Sequence, residues 1–247
     1  LYRGGSGMIT PYYQSDLVTL YLDDARDVLP TLATESVDLI LTDPPYGVEW
    51  QSNRRSEKFD LLDNDSATDR DGITEVLREC VRVVGQNRHL YVFGPPDVLV
   101  GLKVSAPATL VWDKVALGSG DVTAAWAPAH EQISFVVSKH RHAGKSGTEG
   151  LPTRLRKGSV LRFPRPTGRK VRHPSEKPVP LLRELIESSS RQGDLIGDAF
   201  AGVGSTGVAA VLSGRRALLM ETEKQWADVA VERIQIAEEL ARQGAAT

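Results

Sequence analysis

The sequence predicts an α/β fold with a mostly parallel sheet. Three observations predict it. Short apolar runs alternate with stretches of helical period from Leu17 to the end of the chain. Several of those runs stop at acidic or Gly/Pro residues, as strands do at a sheet edge. A glycine turn, Gly202 to Gly207, stands between an apolar run and a helical one. With 247 residues and 40% apolar content, the chain can bury one large core. Residues 8–247 read as a single domain with residues 138–172 inserted. Residues 1–7 read as a remnant ahead of Met8.

Leu17–Leu22 reads as a strand ending at Asp23 and Asp24, and Asp24 can cap a short helix reaching about Leu32. Val37–Thr42 is a short apolar run and reads as a buried strand. Residues 47–66 are polar and too long for a plain connection, so a lid or substrate-touching loop is expected. Gly72–Val84 reads as an amphipathic helix, with Ile73, Val76, Leu77, Cys80, Val81 and Val84 on one stripe. Leu90–Phe93, Thr109–Trp112 and Ile133–Val137 read as strands, the last two as an antiparallel edge pair. Residues 138–172 lose hydrophobic periodicity. A helix over Val179–Ser190, with Pro178 and Pro180 at its start, follows them. Then come a strand from Leu195, a helix over Ser205–Leu212, a strand over Ala217–Met220 and a last helix over Gln225–Gln243.

The net charge of −2 excludes a generally basic nucleic-acid coat, but its distribution is uneven. Residues 138–177 hold 12 of the 30 Lys and Arg and only 2 of the 32 Asp and Glu. A solvated loop has that composition, and so does a phosphate-gripping segment. No apolar run reaches the length of a membrane span. The single cysteine, Cys80, excludes an intramolecular disulfide and a cysteine zinc cluster, and a reducing cytoplasm is the expected compartment. No metal is expected.

Two stretches carry chemistry. Asp43-Pro44-Pro45-Tyr46 ends the central strand stiffly, since neither proline donates a backbone N–H. A carboxylate, free carbonyls and an aromatic ring suit a flat ring bearing an amino group. The amine would donate to Asp43 and the Pro44 carbonyl, and Tyr46 would stack. Gly202-Val203-Gly204-Ser205-Thr206-Gly207 matches the dinucleotide-binding spacing, and Glu221 follows Gly202 by 19 residues, where a ribose-binding acid is usual. NAD is therefore one reading. Asp198, directly before the turn, suits an α-amino group better than a pyrophosphate, which favours S-adenosylmethionine.

The order of motifs resembles the β class of amino-group DNA methyltransferases. The matching pieces are Leu22-Asp23-Asp24-Ala25, Asp38 to Tyr46, His130 to Ile133, His173 to Pro178 and Asp198 to Thr206. The resemblance implies a Rossmann-like, seven-stranded methyltransferase sheet with permuted motif order. It assigns Asp198, Phe200, Gly202, Gly204, Ser205 and Thr206 to the methionine end of S-adenosylmethionine. Glu221 would take the ribose and Asp23 the adenine edge, with Ala25 also in the cofactor site. His173, Ser175 and Lys177 would lie beside the cofactor. A surface place for Glu131 is as well supported as a site role. Gly197 departs from the family pattern, which has an apolar residue before the acid. S-adenosylhomocysteine is the implied product.

The implied reaction is methylation of the exocyclic amine of a flipped base in double-stranded DNA, adenine N6 first and cytosine N4 as the alternative. Methylation of an RNA base or a protein amide is the more distant one. A C5-cytosine route needs a thiolate, and Cys80 lies on a helix stripe. Asp43, Pro44 and Tyr46 are the expected catalytic residues. Arg54, Arg55 and Lys58 in the polar loop, with Arg154, Arg156, Lys157 and Arg162 in the basic segment, are the expected DNA contacts. A homodimer and a cognate restriction enzyme remain open as partners.

Overall fold

The computed structural model describes residues 9–45, 70–115, 125–138, 157–166 and 176–245. In chain order its elements are β1 (Tyr13–Gln14), β2 (Val18–Leu22), α1 (Ala25–Val28), β3 (Val37–Thr42), α2 (Arg70–Val83), β4 (Val84–Phe93), β5 (Val104–Asp113), β6 (His130–Ser138) and β7 (Val160–Arg162). They continue with α3 (Val179–Ser189), β8 (Leu195–Asp198), α4 (Ser205–Leu212), β9 (Arg216–Glu221) and α5 (Lys224–Ala245). No helix among the described residues is long and apolar enough to cross a membrane.

The strands form one sheet in the order β1-β2-β9-β8-β3-β4-β6-β5-β7. Strands β2, β9, β8, β3 and β4 are parallel, and β6 runs antiparallel between β4 and β5. Among the described residues the sheet holds nine strands, the seven expected and two short ones. Seven form its body, and β1 and β7 add two and three residues at the margins. Such short strands leave no period in a sequence. They form because a partner edge is already there to receive their N–H and C=O groups.

β7 lies within the inserted residues 138–172. Val160–Arg162 pair in parallel with Val111–Asp113 of β5. The Trp112 indole N–H donates to the Phe163 carbonyl at 2.7 Å. The basic segment is stitched to the sheet there, so the β5–β6 pair is not the margin.

Two apolar cores sandwich the sheet. On one face α3, α4 and α5 press Leu182, Leu185, Val211 and Ile234 against Leu39, Leu41 and Leu219. On the other, α1 and α2 press Val28, Val76, Cys80 and Val83 against Ile40, Leu90 and Met220. The alternation of Leu39, Ile40 and Leu41 between the two cores is the period of a strand buried on both sides. Gly197 now has a reason. A Cβ there would come within 2.8 Å of Ile40 Cδ1 and 3.2 Å of Val37 Cγ1, so β3 already fills the space a larger residue would occupy.

From β8 the chain crosses through α4 to β9 on one side, and from β3 it crosses through α2 to β4 on the other. The two central neighbours thus send the chain in opposite directions. A crevice opens at their carboxyl ends, where open α/β sheets bind ligands.

Candidate active site

Asp198 and Asp43 meet at that crevice. Asp198 is the last residue of β8, and Asp43 follows the last residue of β3. The Thr42 hydroxyl donates to Asp198 Oδ1 at 2.8 Å, and the Phe200 N–H donates to the same oxygen at 3.1 Å. Burial pushes the Asp198 carboxyl up to about 6, and the Asp43 charge adds to the push, against hydrogen bonds from Thr206, Phe200 and Thr42. A carboxylate 5% exposed and served by these neutral donors is ready for a cation.

Asp43 is held by charges from three other segments. Lys177 Nζ lies 2.6 Å from Asp43 Oδ2 and 3.2 Å from Glu131 Oε2. Lys114 Nζ lies 2.6 Å from Glu131 Oε1. The Lys177 ammonium also sits 4.9 Å from the centre of the Phe93 ring. Burial pushes the Asp43 carboxyl above its ordinary value, with Glu131 adding to it and Lys177 and Lys114 opposing. Burial would raise Glu131 too, but Lys177 and Lys114 outweigh it and hold that carboxyl low. Burial would lower Lys177, yet Asp43 and Glu131 together keep it raised and charged.

The glycine turn lies alongside. Gly202 (φ +50°) and Gly204 (φ +73°) occupy the left-handed region, and no heavy atom lies within 4 Å of where a Cβ of Gly202 would be. Bare backbone thus faces open space. Glu221 Oε2 accepts from the Gly202 N–H at 2.7 Å and Oε1 from the Glu223 N–H at 2.9 Å. The β2–β9 register sets Leu22 beside Glu221, which brings Asp23 to the same edge. Ala25, the first residue of α1, buries its side chain in the core beneath that edge. Arg233 of α5 braces the turn, donating to the Val203 carbonyl at 2.7 Å and Ser205 Oγ at 3.1 Å while pairing with Glu176 at 2.8 Å.

The structure therefore joins Asp43 and Pro44 to Asp198, Phe200, Gly202, Gly204, Ser205, Thr206, Glu221 and Asp23 along one sheet edge. Lys177, expected beside the cofactor on the segment leading into α3, sets its ammonium on the Asp43 carboxylate. The Lys157 ammonium is paired with Glu184 and donates to Ser188 Oγ at 2.9 Å, both on α3. Arg162, 78% exposed, pairs with Asp113 at 3.1 Å at the carboxyl end of β5 and remains on the site's edge. Tyr46, Arg54, Arg55, Lys58, Arg154, Arg156, His173 and Ser175 lie outside the described residues. Cys80 is fully buried, and burial pushes its thiol far up, which disarms it as a nucleophile.

Sequence reasoning missed Thr42, Phe93 and Arg233, offered Lys114 only as the start of a stretch reaching Trp126 that could share target recognition, and left Glu131 undecided. The available signal was positional. Thr42, Phe93 and Lys114 stand at the carboxyl ends of strands, and Glu131 is at the start of the antiparallel one.

Comparison with known proteins fits this geometry. The family model for DNA methylases of the N6/N4 type matches residues 37–232. The chain belongs to that DNA methylase family. Among this DNA methylase's relatives is DNA adenine methyltransferase YhdJ of Escherichia coli (strain K12), 26% identical over 93% of this chain and 88% of YhdJ. Type II methyltransferase M2.DpnII of Streptococcus pneumoniae is 26% identical over 94% of this chain and 95% of its own. Of solved structures, the cytosine-N4-specific PvuII DNA methyltransferase superposes with a TM-score of 0.68 at 14% identity, covering 94% of both chains. TTHA0409 of Thermus thermophilus, complexed with S-adenosyl-L-methionine, gives 0.61 at 23% identity, covering 89% of the methylase and 95% of TTHA0409. These two likenesses establish the fold of the methylase.

Proposed function

We propose that this DNA methylase transfers a methyl group from S-adenosylmethionine to the N6 amine of adenine in double-stranded DNA. The observation that carries the reading is the meeting of Asp43 with Asp198 and the glycine turn at one crevice. The substrate-side acid and the cofactor-side acid are neighbours, as a transfer between two bound molecules requires. Family membership sets the reaction class, and relatives such as YhdJ, named an adenine enzyme, favour adenine.

The cofactor fits the residues present. A buried carboxylate raised to about 6 invites the cofactor's ammonium, and the bare Gly202 turn admits a ligand against its backbone. Asp198, Phe200, Gly202, Gly204, Ser205 and Thr206 would hold the methionine end. Glu221 would accept from the ribose hydroxyls, each oxygen keeping a lone pair beside its backbone N–H, and Asp23 would serve the adenine edge. S-adenosylmethionine supplies an electrophilic methyl group on a sulfonium.

The protein's own part is to make a poor nucleophile adequate. The lone pair of the base's amine is delocalised into the ring. Hydrogen bonds from that amine to Asp43 and the Pro44 carbonyl favour a pyramidal nitrogen and spread the positive charge it gains. The stiff Pro-Pro turn fixes both acceptors at the end of β3, so positioning supplies much of the rate. Tyr46 would stack on the extruded base and offset part of the unstacking cost, typically about 1–3 kcal/mol. Arg162 and the other basic residues of its segment would hold phosphates. Pairing with a restriction enzyme is the finer proposal, supported by type II relatives such as M2.DpnII.

The deciding experiment is incubation with methyl-labelled S-adenosylmethionine and matched DNA and RNA, then digestion to nucleosides and mass spectrometry. N6-methyladenine from DNA is expected. N4-methylcytosine alone would move the substrate while keeping the amine chemistry, and label in RNA alone would overturn the DNA reading.

A further inference from the structure

We propose that Lys177 is a positioning residue for methyl transfer, holding Asp43 through Oδ2 so that Oδ1 is left to receive the base's amine, with Glu131 and Lys114 setting the strength of that hold. The proposal rests on the amino-methyltransferase reading above. It gives Lys177 to the substrate side of the site, whereas the family resemblance gives it to the cofactor.

Four side chains form an alternating line. Lys114 meets Glu131 at 2.6 Å, Glu131 meets Lys177 at 3.2 Å, and Lys177 meets Asp43 at 2.6 Å. They come from the end of β5, the start of β6, the approach to α3 and the end of β3. The line carries two positive and two negative charges, so as a unit it is neutral. Its most enclosed member is the Lys177 side chain, 11% exposed, held between two carboxylates and a ring face. An ammonium has three donors and no acceptor. One donor on Oδ2 fixes the carboxylate's rotation and favours its ionised form, which leaves the Oδ1 lone pairs to accept from the amine.

The surroundings make that ammonium necessary. The charged groups facing Asp43 among the described residues are Lys177, Glu131, Lys114 and Asp198. Without Lys177, Asp43 would share the crevice with two further carboxylates, and its carboxyl would move further up. Protonated, it would present an O–H donor where the amine needs an acceptor. Glu131 competes with Asp43 for the same ammonium, and Lys114 restrains Glu131. Removing Lys177 and removing the Glu131 charge should therefore move Asp43 in opposite directions. A purely structural ion pair would show the same two signs in the titration, but it would not carry the acid limb of the methylation rate with them.

The test combines three readouts on the full chain. The Asp43 carboxyl is titrated by carbon-13 NMR of aspartate-labelled protein, its signal assigned by loss in Asp43→Asn. Single-turnover methylation of DNA is followed against pH. S-adenosylmethionine affinity is measured by calorimetry. In Lys177→Met, the Asp43 titration and the acid limb of the rate should both move to higher pH. The rate should fall on the order of 10²-fold, as for a misplaced reacting group. Cofactor affinity should stay within about twofold, because Lys177 meets Asp43, Glu131 and the Phe93 ring and none of the residues assigned to the cofactor. Lys177→Arg should restore most of the rate, and Glu131→Gln should shift the titration to lower pH; these two variants decide the matter if Lys177→Met does not fold. An active wild type whose Asp43 titration is unmoved in these variants overturns the positioning role alone, as does a Lys177→Met defect confined to cofactor affinity. A wild type that methylates no DNA base overturns the amino-methyltransferase reading and the positioning role with it.

Discussion

At the scale of single residues, the site separates two acids by what each faces. Asp43 faces a lysine and a second carboxylate and is assigned to the substrate amine. Asp43→Ala should cut methyl transfer by roughly 10²–10³-fold or more while S-adenosylmethionine still binds, the usual loss when one preorganised group is removed. Near-normal turnover in that variant would remove Asp43 from the reaction. Asp198 faces neutral donors, and its raised value of about 6 gives cofactor binding a pH dependence of definite sign. A bound ammonium favours the charged carboxylate, so binding pulls that value down and releases a proton. Affinity should be steady above pH 7 and fall roughly tenfold per pH unit below about 6. Calorimetry in buffers of different ionisation heat would count the proton. Affinity unchanged from pH 7 to pH 5 would detach Asp198 from the ammonium. Cys80→Ser should leave the transferred-methyl product unchanged, and a folded but inactive variant would reopen a thiol route.

At the scale of elements, the strand ends and turns do the positioning. Gly204 lies at φ +73°, and a Cβ there would come 2.8 Å from Ala230 Cβ and 3.1 Å from its Cα. Both the backbone and α5 oppose a side chain. Gly204→Ala should cost about 1–2 kcal/mol in left-handed backbone alone. The melting temperature should drop by roughly 5 °C in a chain of this length, with weaker cofactor binding. An unchanged melting curve would mean that the turn leaves the left-handed region and α5 yields as well. β7 places Arg162 on the site's edge, while α3 holds Lys157 through Glu184. Arg162→Ala should flatten the salt dependence of DNA binding by roughly 0.9 if one phosphate contact is lost, and Lys157→Ala should change it less. Equal effects, measured as slopes of binding against salt, would show that the Glu184 pair opens on DNA.

At the scale of the molecule, the sheet order is what makes one site from distant segments. The switch between β8 and β3 sets the glycine turn beside the Pro-Pro turn, although 158 positions separate Asp43 from Ala201 in the chain. The antiparallel β6 returns Glu131 to the same edge, and the approach to α3 lays Lys177 between Glu131 and Asp43. Glu221→Ala should weaken S-adenosylmethionine roughly ten- to a hundredfold, the cost of hydrogen bonds to a charged group. Unchanged affinity by calorimetry would leave Glu221 as a buttress of the Gly202 turn and nothing more.

The sequence by itself determined the element types, their order and the two contiguous motifs. Val37–Thr42, Ser205–Leu212 and the Pro-Pro and glycine turns follow from local forces: apolar period, missing donors at proline and permitted φ at glycine. Asp43, Asp198 and Glu221 were legible because each follows or ends a recognisable strand. Only the tertiary structure decided that Lys114, Glu131, Lys177 and Asp43 form one line of charge, that Lys157 turns to α3, and that Val160–Arg162 is a strand at all. Those outcomes depend on which strands neighbour each other and in what register. Those are contacts between residues tens of positions apart, and no local period or turn residue encodes them.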